Sequence, residues 1–153
     1  MRRRTPDAPS GQPPNPAFTL AEVQDAAELR RRLRRFLAHG DSAVRRCGLT
    51  PQRYLLLLAV KGAPDGTETR TIGGVADDLR LAQSSATELV DRAEAAGLLR
   101  RTASPHDGRV VSLSLSEEGE ARFAAAFAAL AGERAELLAS LDQARSHLAR
   151  DRR

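Results

Sequence analysis

The chain has 153 residues, enough for one domain with a real core, and 29% of them are charged against 3% aromatic, which favours a helical core. The net charge of +4 resides at the ends: Met1 to Pro16 and Arg150 to Arg153 each hold three Arg and one Asp, so the basic balance by itself is weak support for a nucleic-acid partner. No apolar run approaches the roughly 20 residues of a membrane helix, no signal-peptide core follows Met1-Arg2-Arg3-Arg4, and the single Cys47 with scattered His39, His106 and His147 excludes an intramolecular disulfide or a Cys-based zinc site.

In chain order, residues 1–16 are rich in proline, with glycine, serine and asparagine, and read as a disordered tail. Order begins at Phe18-Thr19-Leu20-Ala21-Glu22-Val23. Thr19 and Glu22 make a capping box, and Phe18 and Val23 hold the positions of a hydrophobic staple. Leu29, Leu33, Phe36 and Leu37 continue one apolar face, and arginines cover much of the rest. Gly40-Asp41-Ser42 is a place for a kink or break, after which Ala43 and Val44 resume the pattern up to Gly48. Thr50-Pro51 starts the next helix, with Thr as N-cap and Pro at the first helical position. Tyr54 to Val60 is apolar all round, which predicts burial on every side. Ala63 to Thr67 is a turn, and Thr69 to Thr71 is a candidate short strand.

Thr71 is the N-cap of a short helix with Ile72, Val75, Ala76 and Leu79 on one face. A second helix runs from Gln83 to Ala96, and Gly97 ends it as a left-handed cap. Its apolar stripe is Ala86, Leu89, Val90 and Ala93, and its opposite face is small and polar. Strands at Leu98–Thr102 and Val110–Leu115 flank the loop from Ala103 to Arg109. Helix, turn, helix, hairpin is a winged helix-turn-helix, a shape whose second helix fits the DNA major groove. Ser116 caps a final helical region reaching about Arg150, with Gly132 as a possible bend between the stripes Phe123, Phe127, Leu130 and Leu137, Leu138, Leu141, Leu148. A single winged helix does not need long helices at both termini. Unpartnered amphipathic faces at 17–48 and 117–150 imply burial against a second chain, with Phe18, Val23, Leu137 and Leu141 as anchors. The expected fold is mainly α with a small β-hairpin wing (α+β), a winged helix-turn-helix lobe at 49–116 between N- and C-terminal dimerisation helices.

Leu49-Thr50-Pro51-Gln52, Leu55 to Val60, Val75-Ala76 through Leu79, Leu89-Val90-Asp91-Arg92, Gly97-Leu98-Leu99-Arg100-Arg101, Asp107-Gly108-Arg109 and Leu115-Ser116-Glu117-Glu118-Gly119 stand in the order and spacing of MarR-type transcription regulators. The resemblance covers roughly Ala17 to Leu148. No single piece is specific; the ordered set is. It implies a homodimeric DNA-binding repressor or activator, of a kind often released from DNA by a small organic effector; a two-fold dimer in turn implies a palindromic double-stranded operator, and the lack of membrane and signal segments points to the cytoplasm. It also implies a wing in which Arg109 reaches the minor groove or its phosphates and Asp107 orients it, and an effector pocket between the dimer helices and the DNA-binding lobe, with Phe36, His39 and Tyr54 as candidates.

The DNA-binding candidates are Gln83, Ser84, Ser85, Thr87, Glu88 and Arg92 on the second helix, Arg80 before it, and Asp107 and Arg109 on the wing. A helix N-terminus offers free backbone N–H groups to a phosphate, and small hydroxyl residues allow close approach. Ser85-x-x-Glu88 also reads as a capping box, which would start the helix later and remove Glu88 from base reading; otherwise Glu88 is placed to accept from cytosine N4. From Leu81 to Val111 four Arg face four acids, so phosphate attraction must be local or come from Arg53, Lys61, Arg70 and Arg80. A peroxide or thiol sensor and a plain core position are the two readings of Cys47, the second weighted far above the first. There is no Gly-rich phosphate loop, no G-x-S-x-G and no convergent His/Asp/Cys set, so neither an enzyme nor a cofactor nor a metal is expected. The competing reading is a winged-helix protein-interaction module that does not bind DNA.

Overall fold

Hydroxyl side chains open four of the helices. In the computed structural model, which describes residues 18–103 and 110–150, the chain runs α1 (Leu20–Arg46), α2 (Pro51–Lys61), β1 (Arg70–Thr71), α3 (Ile72–Leu79), α4 (Gln83–Ala95), β2 (Leu99–Ala103), β3 (Val111–Leu115), α5 (Glu117–Ala129) and α6 (Ala131–Arg150). Thr19, Thr50, Thr71 and Ser116 accept the backbone N–H of Glu22, Arg53, Gly74 and Gly119, each filling an otherwise unpaired donor of a first turn. The expected capping box at Thr19 is complete, since the Glu22 carboxylate also accepts from the Thr19 N–H. The tail at 1–16, Asp107 and Arg109, and the Leu148 side chain lie outside what is described.

α1 does not kink or break at Gly40: it is one helix from Leu20 to Arg46. Gly40 is buried, and a side chain there would begin 3.8 Å from a methyl group of Leu130. Gly40 thus packs inside the helix against the α5–α6 junction, and the roughly 1 kcal/mol that glycine costs there does not interrupt α1. α1 then packs along α6.

α2 is the central helix, but it is not buried on every side. Leu56, Leu57 and Val60 are fully buried, whereas Leu55 is 46% exposed because none of the described elements covers that side. Val75 of α3, Val90 of α4, Leu98 and Leu113 complete the core around α2.

The sheet has the order β1-β3-β2, all antiparallel, with Arg70 opposite Leu113 and Leu99 opposite Leu115. Each hairpin strand begins one residue later than its sequence implies. Leu98 is held out of β2 by the end of α4: its N–H donates to Ala93 O, and the Gly97 N–H to Glu94 O, with Gly97 at φ +72. These two bonds and the left-handed glycine form a Schellman motif. The Leu98 carbonyl then accepts the Ser116 N–H at 3.0 Å.

The last helical region divides at Leu130 rather than at Gly132. Leu130 is buried against α1, whereas Gly132 is exposed and has nothing near its missing Cβ, so packing sets the break and glycine does not. Arg134 Nη1 donates to the Phe127 carbonyl at 3.2 Å, satisfying an acceptor that the break leaves free. Large apolar side chains remain exposed along the two terminal helices: Leu20, Val23, Leu33, Leu37, Leu138 and Leu141, preceded by Phe18.

Candidate nucleic-acid interface

The turn between α3 and α4 is three residues, Arg80-Leu81-Ala82. Arg80 takes the left-handed conformation, φ 54 and ψ 45, which lets the Arg80 N–H reach Asp77 O and the Leu81 N–H reach Ala76 O. The chain is then redirected, and α4 starts at Gln83 with Ala82 as its N-cap. Ala82 has no side-chain acceptor, so no cap covers the first backbone N–H groups of α4.

This start decides the fate of the Ser85-x-x-Glu88 pair. Both residues lie inside the helix, so the capping box does not form, and both are exposed. Gln83, Ser84 and Arg92 are exposed too. Thr87 is half-buried, and its hydroxyl donates back to the Gln83 carbonyl at 2.9 Å. The other side of α4, formed by Ala86, Leu89, Val90 and Ala93, is buried in the core. The structure therefore brings Arg80, Gln83, Ser84, Ser85, Glu88 and Arg92 together on one turn and one exposed helix.

Ion pairing sorts the charges of this lobe. Arg101 on β2 reaches across to α4, with Nη2 2.6 Å from Asp91 Oδ1 and Nη1 2.9 Å from Glu94 Oε2. Arg70 makes a two-pronged bond to Asp78, at 2.8 and 2.9 Å, that holds its guanidinium more basic than usual. Gly74 makes room for it, because a Cβ there would meet Arg70 Nε at 2.8 Å. Lys61 binds Glu120 at 2.8 Å and Glu68 at 2.6 Å, and both carboxylates raise its pKa. Of the four cations considered as phosphate contacts, Lys61 and Arg70 are thus engaged within the chain. Arg53 and Arg80 make no ion pair among the described residues, although Arg53 Nη2 lies 3.5 Å from the Arg92 carbonyl. Sequence reasoning missed Arg101: the i, i+3 spacing of Asp91 and Glu94 hinted at a shared partner, but only the β2 crossing supplies it.

A second feature lies between α1, the start of α2 and the α5–α6 junction. It is an apolar cavity of about 100 Å³ lined by Phe36, Leu37, Val44, Tyr54, Leu55 and Leu130, among others. Phe36 and Tyr54 line it and His39 does not. The His39 ring sits instead 3.1 Å from the Arg35 carbonyl and 4.0 Å from Glu133 Oε1, on the α6 side of α1. Tyr54 stacks on Phe123, Phe123 stacks on Phe127, and the Arg134 guanidinium lies 3.7 Å over the Phe127 ring. Burial pushes the Tyr54 phenol above its ordinary value, against the opposing pull of Arg134. Cys47 is half-buried against the core.

Residues 48–110 match the model of the MarR family. Over that segment the chain is similar to MarR-type winged-helix proteins, a family of transcription regulators. Solved structures share the MarR-type fold over most of their length. YusO from Bacillus subtilis is 21% identical, with a TM-score of 0.59, over 87% of this chain and 96% of that one. A mutant of S. aureus MepR bound to an oligodeoxyribonucleotide is 15% identical, with a TM-score of 0.59, over 87% and 95%. Bordetella bronchiseptica BpsR, from a study of how 6-hydroxynicotinic acid regulates its DNA binding, is 19% identical, with a TM-score of 0.57, over 92% and 96%. A comparison with curated protein sequences finds no match. Among the described residues, no helix is long and apolar enough to cross a membrane, and no three His, Cys, Asp or Glu side chains are grouped to hold a metal ion.

Proposed function

We propose that the chain is a cytoplasmic, homodimeric repressor that binds a palindromic DNA operator through α4 and is released by a small organic effector. The observation that carries the reading is α4 itself: one side is locked into the core while the other presents Gln83, Ser84, Ser85, Glu88 and Arg92 to solvent, directly after an uncapped N-terminus. Such a helix offers backbone N–H groups to a phosphate and side chains to base edges. Arg80 stands beside it as a cation without an ion pair among the described residues, and Arg109 with Asp107 on the wing is assigned the adjacent groove.

The dimer reading rests on the apolar residues left exposed on α1 and α6, a row that a single chain leaves in water. The units proposed are accordingly 49–116 for DNA and 17–48 with 117–150 for the partner copy. The cavity beside Tyr54 lies between these units, where an apolar ligand would touch both. Phe36 and Tyr54 remain its proposed contacts, while His39 is placed away from it.

Gel shifts on genomic fragments, including the chain's own upstream region, test the proposal. A retarded complex with a protected dyad at 200 mM salt supports it. Absence of any sequence-dependent complex would leave the protein-interaction module, which the pairing of Arg101, Arg70 and Lys61 with acids favours.

A further inference from the structure

α4 carries three carboxylates, and they are not equivalent. Asp91 and Glu94 share Arg101. Glu88 is exposed and has no hydrogen bond or ion pair among the described residues. Arg92 stands four residues on, at the spacing and in the direction that favour a helical Glu–Arg pair, yet the two are not paired. Capping does not occupy Glu88 either, because α4 begins at Gln83. With 3.6 residues per turn, Glu88 and Ser84 lie one turn apart on the side of α4 opposite Ala86, Leu89, Val90 and Ala93. That is the middle of the surface a groove would meet.

An ionised carboxylate only accepts hydrogen bonds. Guanine and thymine present acceptors on their major-groove edges, and adenine sets N7 beside its amine. Cytosine alone presents a donor, the N4 amine, with no acceptor beside it. We propose that Glu88 is a specificity-determining residue that selects a cytosine in each operator half-site. The proposal rests on the reading of α4 as the DNA-contacting helix. At guanine or thymine the carboxylate loses its water without gaining a donor, at adenine the N7 acceptor beside the amine opposes it, and the phosphates repel it everywhere, so Glu88 works mainly by penalising wrong sequences.

The test is selection of bound duplexes from a random-sequence library by the full chain, by Glu88→Gln and by Glu88→Ala, followed by measured affinities for the selected sites. The wild-type chain is expected to select a recurring site with cytosine at one position of each half. Glu88→Gln is expected to move that position alone to adenine, which a glutamine amide matches with a donor and an acceptor. Glu88→Ala is expected to relax it, with at least about a tenfold loss of discrimination there. Identical preferences from all three proteins would overturn the assignment while leaving α4 as the reading helix. So would tighter binding of every sequence by Glu88→Ala with unchanged preferences, since the carboxylate would then only repel phosphate. If the wild-type chain selects no recurring sequence, the DNA-binding reading fails and this assignment with it.

Discussion

Gly119 leaves open the space that the Leu98 carbonyl oxygen occupies: a Cβ on Gly119 would overlap that oxygen. The contact presses the first turn of α5 against the backbone that leaves α4, and the obstacle is main chain, which cannot swing aside. Gly119→Ala is therefore expected to lower stability by about 2–4 kcal/mol, as an overpacking change against fixed backbone. Gly132→Ala is the control, because nothing lies near its missing Cβ, and it should be neutral or raise stability by about 0.5 kcal/mol. Urea unfolding of both variants checks the contrast.

Arg101→Ala releases Asp91 and Glu94 on the helix assigned to DNA. These ion pairs are partly exposed, so folding stability should change by less than about 1 kcal/mol. DNA affinity should fall by about tenfold at low salt and by less as salt rises, since the freed carboxylates repel phosphate through a screened field. Asp91→Asn with Glu94→Gln in the Arg101→Ala background should restore most of the loss. Gel shifts at two ionic strengths give the readout.

Arg109→Ala is expected to cost about 1–3 kcal/mol of DNA affinity, the value of one charge-assisted contact. A contact to phosphate would lower affinity evenly across sequences and flatten the salt slope by about one ion. A minor-groove contact would instead erase preferences at A·T-rich flanks.

Val23→Glu and Leu141→Glu place charges on apolar residues that are nearly half exposed in the single chain. Each should leave the fold intact and shift sedimentation toward the monomer, with loss of DNA binding as a consequence. Unchanged dimerisation by both would remove α1 and α6 from the interface.

Tyr54 is the chain's single tyrosine, so its ionisation can be followed by absorbance alone. Burial raises its folded pKa above 10.0. The unfolded chain therefore loses this proton first, and the stability contribution, complete below pH 10, declines as pH rises through the raised folded value. Spectrophotometric titration should show late ionisation in the native protein and an ordinary value in urea. Tyr54→Phe should lose that part of the high-pH destabilisation.

The helix starts were legible because each depends on a local side chain: Thr19, Thr50, Thr71 and Ser116 act within three residues of themselves. The order α3, turn, α4, hairpin was legible for a similar reason, since Gly97 and the apolar stripe of α4 are short-range signals. What the sequence left open needed distant partners. Gly40 looked like a breaker until Leu130 was seen against it, and Gly132 looked like the bend until Leu130 was seen to be buried. Leu55 sat in an apolar run, and only the arrangement of α1 and α5 shows that one side of α2 stays open. At the site, the Ser85–Glu88 ambiguity turned on where α4 begins, and that was fixed by Arg80 and Leu81 bonding back to α3. His39 was a candidate because the resemblance puts a pocket between the dimer helices and the DNA-binding lobe; its ring lies instead 4.0 Å from Glu133 Oε1, a partner distant in sequence, and outside the cavity lining.

Arg80 occupies a backbone conformation that costs an ordinary L residue on the order of 1 kcal/mol and costs glycine almost nothing. Selection for heat resistance alone should therefore replace it: Arg80→Gly is a substitution that firms the turn while deleting a cation beside α4. A library of variants screened only for survival at high temperature should drift to glycine or asparagine here, and the survivors should hold DNA less well. Keeping arginine at this corner sets a ceiling on how stable the lobe can become without giving up a cation beside the helix proposed to read DNA.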